Sequence, residues 1–379
     1  GFVFGIWDAG KIGITHEDFR RPDLSTRVSW EDAGNPDISI HSTHVAGTLI
    51  GDGSSNALAL GMAWDAELAA YCNDDDIAEM AAEAAGGMVL SNHSYGHIQG
   101  WYYGDLHDDG VTEYNWYWYG NTLVSGVEDY RFGSYSDISA QVDSIAGEAP
   151  DYLMVCSAGN HRWENVPYPG CLHYVWNQGL GYWQWSSATR EMDGGIDGYD
   201  CLGDGWKTAK NGLTVGMVAD LEEYTGPGSV SMMDYSSWGP TDDGRIKPDL
   251  VGNGDDVYSA IGLHDGHDRL TGTSMASANV AGSLALLEDW YVDNHGGPMR
   301  AATLKALALC TAREAGTYDG PDYRFGWGLF DAKAAYDLLL ADLDGGRGIV
   351  RELTLDEGTP IVMHYRATAA QPRATICWN

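Results

Sequence analysis

The chain has 379 residues, with 55 Asp or Glu against 21 Lys or Arg, a formal net charge of −34 at pH 7. That charge repels nucleic acid and anionic membrane surfaces, so neither is an expected partner, while it favours encounter with cationic peptides. A composition that is 44% hydrophobic and 11% aromatic excludes disorder, and no run reaches the ~18 apolar residues of a membrane span.

Short apolar runs alternate with helical patterns, the signature of a parallel sheet covered on both faces. Strands are predicted at residues 1–7, 68–72, 87–92, 152–157, 213–218 and 257–260. Helices are predicted at 77–85, 136–147, 274–291, 298–311 and 331–341, the second stopping before Pro150 and the fourth opening on Pro298. The fold class is α/β, a doubly wound, mostly parallel sheet with helices on both faces. Past residue 344 the pattern changes to short alternating segments at 351–355, 361–365 and 375–378. The expected organisation is a main domain at 1–344 and the start of a small β module at 345–379.

Two stretches, 101–119 and 163–185, read as loops dense in Trp and Tyr. Trp101, Tyr102, Tyr103, Trp116 and Trp118 either wall a ligand pocket or, more commonly for such residues, pack a long loop onto the domain. Cys72, Cys156 and Cys310 lie in apolar runs and read as small buried hydrophobes. If one disulfide forms, Cys171 with Cys201 is the expected pair. With a start at Gly1 without Met, and an end within a predicted strand, the chain is expected to be a processed or excised piece.

Three motifs carry chemistry. Asp8 follows the first apolar run directly, and Gly10 after it permits a sharp turn, so the carboxylate can leave the sheet at its carboxyl end. His41 begins His41-Ser42-Thr43-His44-Val45-Ala46-Gly47-Thr48, at a helix start suited to a general base. Ser274 follows Gly272-Thr273 and opens a run of small residues, where a helix N-terminus favours an exposed hydroxyl and a developing oxyanion. A zinc reading of His41 with His44 is weak, because the pair supplies two ligands and no further cluster completes a site.

An aspartate, a histidine and a serine in that chain order, each in a small-residue motif, resemble the subtilisin-like serine proteases. The resemblance extends over roughly residues 5–336. It includes Ser157-Ala158-Gly159-Asn160, Asn92-His93-Ser94-Tyr95-Gly96, the stretch 236–249 and Gly326-Trp327-Gly328. It implies a secreted serine endopeptidase with Asp8, His41 and Ser274 as triad and Asn160 as oxyanion donor. The resemblance also implies that Ser94, Tyr95 and Gly96, with Ser157, Ala158 and Gly159, bind an extended peptide, and that His44 is structural. Ser42 departs from the family, which usually has glycine there.

Within the family the chain is similar to secreted Bacteroidetes-type members that carry a C-terminal β-sandwich. Polypeptide substrates, a monomeric state and no cofactor for the chemistry are expected. Asp193, Asp197 and Asp200 among glycines, and the run Asp74, Asp75, Asp76, offer oxygen ligands to a structural calcium; without full EF-hand spacing, solvated turns are the commoner outcome. The alternative function is an inactive peptide-binding scaffold of the same fold.

Overall fold

Five of the predicted strands fall side by side in one parallel sheet. The structure, a computed structural model, describes residues 2–34, 36–106, 112–195, 198–262, 265–345, 348–355, 358–359, 361–363 and 373–378. In chain order its strands are β1 (Val3–Asp8), β2 (Val28–Trp30), β3 (Glu67–Cys72), β4 (Leu90–His93), β5 (Trp101–Gly104), β6 (Asn115–Trp118), β7 (Leu153–Ser157), β8 (His173–Asn177), β9 (Tyr182–Ser186), β10 (Leu213–Val218), β11 (Leu250–Asn253), β12 (Val257–Ile261) and β13 (Gly266–Leu270). The helices are α1 (Ile40–Ile50), α2 (Asp76–Gly86), α3 (Asp137–Glu148), α4 (Thr273–His295), α5 (Ala301–Thr311) and α6 (Ala332–Gly345).

The main sheet has seven strands in the order β11-β10-β7-β4-β1-β3-β2, all parallel. From β1 the chain builds outward through β2 and β3 on one side, then returns to lay β4 on the other. The winding therefore reverses between β1 and β4, and the carboxyl ends of strands at such a reversal form the crevice of an open α/β sheet.

Helix α4 is buried along most of its length and packs on the sheet and on α1. Its small residues allow this. A Cβ on Gly282 would lie 2.8 Å from Met62 Cβ and 3.1 Å from the Leu49 carbonyl oxygen, so a bare Cα lets α4 and α1 approach. Ile6, Leu49, Val155, Val215, Val280 and Leu284 meet in one continuous core, each fully shielded and each stabilising the fold by about 1.5–3 kcal/mol.

The structure revises four expectations. The 257–260 segment is a strand, β12, but pairs antiparallel with β13 outside the main sheet. The aromatic stretches are not loops: they form a second sheet, β5-β6-β8-β9, with Trp101 and Trp118 buried in its own cluster. Packing, the commoner alternative, is thus what most of these rings do, although Tyr103 remains exposed. All six cysteines are free thiols, Cys201 being tied instead to the Trp238 backbone, whose N–H donates to its Sγ at 3.4 Å. Among the described residues beyond 345, none lies in a strand; the Glu352 carboxylate there accepts from the Arg300 N–H and Thr303 hydroxyl at the start of α5.

Candidate active site

Asp8 is the last residue of β1, at the point where the winding reverses. Gly10 turns the chain away with φ +102°, and the Gly10 N–H donates to the Asp8 carbonyl at 3.1 Å. The buried Asp8 carboxylate gathers three donors on Oδ1: the Ala9 N–H at 2.7 Å, His41 Nδ1 at 2.8 Å and the Ser42 hydroxyl at 3.1 Å. His41 stands in the first turn of α1, whose N-cap Ser39 accepts from the Ser42 N–H. Its side chain keeps 39% of its surface open while Nδ1 is held. Burial lowers the pKa of His41, but the Asp8 charge and hydrogen bond outweigh it and leave the imidazole above its ordinary value.

Ser274 is the second residue of α4, at a position whose N–H has no i−4 carbonyl within the helix. Its hydroxyl donates to the Ser94 carbonyl at 3.2 Å and, among the described residues, not to His41. In the absence of substrate such catalytic contacts are often unmade, and a rotation about one side-chain bond redirects the hydroxyl. Asn160 follows β7 and is exposed. Its Oδ1 accepts from the Thr273 N–H at 3.0 Å and the Thr273 hydroxyl at 2.9 Å, while Thr273 Oγ1 accepts from the Gly159 N–H at 3.1 Å. With the oxygen so engaged, the amide nitrogen turns toward the Gly272-Thr273-Ser274 turn, 3.5 Å from where a Gly272 Cβ would stand.

Strands β1, β4 and β7 are consecutive neighbours, so Asp8, the 94–96 segment and the 157–160 segment leave the sheet side by side. Ser94 ties the middle one to α4: its Oγ lies 3.1 Å from the Ser274 carbonyl and 3.0 Å from Ser277 Oγ, and accepts from Asn92 Nδ2 at 3.0 Å. The Tyr95 hydroxyl donates to Asp76 at 2.6 Å, and the Tyr95 carbonyl accepts from Lys207 Nζ at 3.0 Å. His93, stacked on Trp7 and bonded to Ser91 and Tyr95, is pulled down to about 3 by burial. His44 is tied to the β12–β13 hairpin, with Nε2 at 2.9 Å from the Val257 carbonyl, and burial pulls it down to about 4.

This arrangement, a histidine held by a buried carboxylate at one strand end and a serine at a helix start bonded to the neighbouring strand's exit, is one for acyl transfer. The profile of the subtilase family, peptidase S8, matches residues 9–328. The chain belongs to the subtilase family of serine proteases. It is 24% identical over 326 residues to the serine protease/ABC transporter B family protein tagB of Dictyostelium discoideum, a match covering 71% of this chain and 16% of that protein. It is 44% identical over 57 residues to C5a peptidase of Streptococcus pyogenes serotype M18, covering 15% of this chain and 5% of that one. The chain therefore spans a small part of these curated relatives. Among solved structures it is similar to the self-cleaved protease domain of PatA, with a TM-score of 0.56, 20% identity and coverage of 91% and 97% of the two chains. The Clostridium perfringens CspB protease gives a TM-score of 0.62 at 15% identity, with coverage of 91% and 94%. At such identities the likeness is one of fold.

Of the acidic residues singled out in the sequence, Asp193 and Asp76 are hydrogen-bonded within the fold. Asp193 is buried and accepts from the Trp101 N–H at 2.9 Å, and Asp129 accepts from the Gly100 N–H at 2.8 Å, so two carboxylates hold the start of the second sheet. Asp200, at φ +60°, lies beside Gly133, and Asp197 lies outside the described residues. The described residues do not gather Asp193 and Asp200 into a ligand group; Asp76, of the other acidic run, is bonded to Tyr95. The cluster with metal-binding residue types in mutual reach is His16, Asp18 and His267. Its bonds are closed already: His267 Nε2 lies 2.7 Å from Asp18 Oδ2, His16 Nε2 donates to the Gly266 carbonyl, and His16 Nδ1 accepts from the Asp18 N–H.

Reading the sequence alone misses two groups at this site. Thr273 orients the Asn160 amide, and Lys207 lies beneath the 94–96 segment. Neither has a local signal, since each acquires its neighbour only when distant strand ends converge.

Proposed function

We propose that this subtilase is an endopeptidase that hydrolyses peptide bonds through an acyl-enzyme on Ser274. His41 takes the Ser274 proton as Oγ bonds to the substrate carbonyl carbon, then gives it to the departing amine as the C–N bond breaks. Water repeats the sequence against the acyl ester and frees Ser274. Asp8 holds the Nδ1 proton of His41 and stabilises the imidazolium. The Asn160 amide and the Ser274 N–H bind the oxyanion, while residues 94–96 pair with the substrate main chain. The observation that carries the reading is the 2.8 Å bond from Asp8 to His41 at the same sheet end as Ser274.

Action outside the cell, as a monomer on polypeptides, belongs to the same proposal. Among the described residues no helix is long and apolar enough to cross a membrane. The direct test is intact-mass detection of a fluorophosphonate adduct. The expected result is one adduct on the purified chain, lost in Ser274→Ala and His41→Ala. A folded chain that takes no adduct would be a peptide-binding scaffold instead.

A further inference from the structure

Three lysines are deeply buried in this chain, and two have a carboxylate. Lys247 and Lys305 share Asp249, at 2.6 Å and 3.0 Å, in the core behind β10. Lys207, with 4% of its surface exposed, has none within ion-pair distance among the described residues. Its Nζ donates to the Tyr95 carbonyl at 3.0 Å. The nearby Asp204 carboxylate is engaged by the Gln99 side-chain amide and by His97 at 3.5 Å. An ammonium with three donors and one carbonyl partner is under-satisfied for a buried charge, and burial lowers its pKa.

The place where it is held matters. The Lys207 stem runs between the two segments that leave β4 and β7: a Cβ on Gly159 would lie 3.5 Å from Lys207 Cε, and one on Gly96 would lie 2.0 Å from Nζ. Both segments converge on the nucleophile, because Ser94 accepts from Ser274 Oγ and the Gly159 N–H donates to Thr273. A peptide attacked by Ser274 and paired with residues 94–96 would carry the side chain beside its reacting carbonyl past Gly96 and Gly159, the two positions that Lys207 reaches. There the Lys207 ammonium is the charged group beside Gly96.

We propose that Lys207 selects substrates with an acidic side chain, aspartate or glutamate, on the residue whose carbonyl Ser274 attacks, by pairing its ammonium with that carboxylate. The inference rests on the protease reading above. The net charge of −34 works against acidic peptides at long range, but salt screens it beyond about 10 Å, whereas a buried contact is screened much less. A charge-assisted hydrogen bond then decides the local preference.

The test is cleavage of two peptide pairs by the full chain, differing only as Glu against Gln and Asp against Asn at that position, with fluorophosphonate labelling run in parallel. The acidic member of a pair should be favoured in kcat/KM by about 10- to 100-fold. Lys207→Met, which keeps the apolar stem, and Lys207→Gln should bring each pair to within about threefold of parity. Should both variants fail to fold, the ratios for the unaltered chain still decide. A labelled chain that cleaves the amides as well as the acids overturns the specificity and leaves the protease reading standing. A preference that survives in Lys207→Met overturns it equally. A folded chain that takes no label overturns both.

Discussion

The Ser42 hydroxyl lies 3.1 Å from the same Asp8 oxygen that holds His41. Ser42 is thus a further donor to the carboxylate that holds His41. Removing it in Ser42→Ala leaves Asp8 less well solvated, which strengthens its pull on the His41 proton. The acid limb of kcat/KM should move to higher pH by less than one unit, with about 0.5–1.5 kcal/mol of stability lost. A pH–rate profile of the two proteins checks this; a limb that moves to lower pH contradicts it.

Activity should rise with pH through a value above the ordinary ~6.5 of histidine, because Asp8 favours the imidazolium and the base must be neutral. Stability runs the other way. A folded value above the unfolded one gives a contribution fully present below about pH 6.5 and lost as pH rises through the folded value. Asp8→Asn should lower the His41 value and reduce kcat by about 10⁴-fold, the order known for the triad aspartate of subtilisin itself. Proton NMR titration of His41 in both proteins reads the shift directly.

Thr273 engages Asn160 Oδ1 through both its N–H and its hydroxyl. Thr273→Val keeps the shape and removes the hydroxyl, so the amide loses one of two restraints. We expect kcat to fall by about tenfold with KM little changed, against a fall of about 10²- to 10³-fold for Asn160→Ala, a range established for the corresponding donor in subtilisin. Steady-state kinetics of the two variants with one peptide checks the order.

Asp249 joins two buried ammoniums. Burial raises its pKa, but Lys247 and Lys305 outweigh that and hold the carboxyl below its ordinary value. Its contribution to stability is therefore complete above about pH 4 and lost as pH falls through the folded value. Asp249→Asn leaves both cations without a counter-charge and should cost about 3–5 kcal/mol, read from urea unfolding at pH 7. A loss under 1 kcal/mol would mean that water reaches the pair.

Asp8, His41 and Ser274 could be singled out in the sequence because each sits where local chemistry leaves a mark: a strand end before glycine, and two helix starts rich in small residues. The apolar runs of β1, β3, β4, β7 and β10 were legible for a similar reason, being buried on both faces. By contrast, β2 has three residues, β11 has four and includes Gly252, and the second sheet is made of strands four or five residues long. In that sheet β6 pairs in parallel with β8, more than fifty residues away, and aromatic side chains occupy both faces, so no alternation announces it. Distance in sequence likewise hides Ser42 as a donor to Asp8, Thr273 as the support of Asn160 and Lys207 as the neighbour of Gly96 and Gly159. Local propensity and burial pattern wrote the sheet and the reactive residues into the chain. Which strand ends meet, and hence what each reactive group touches, was decided by the order in which the strands pack.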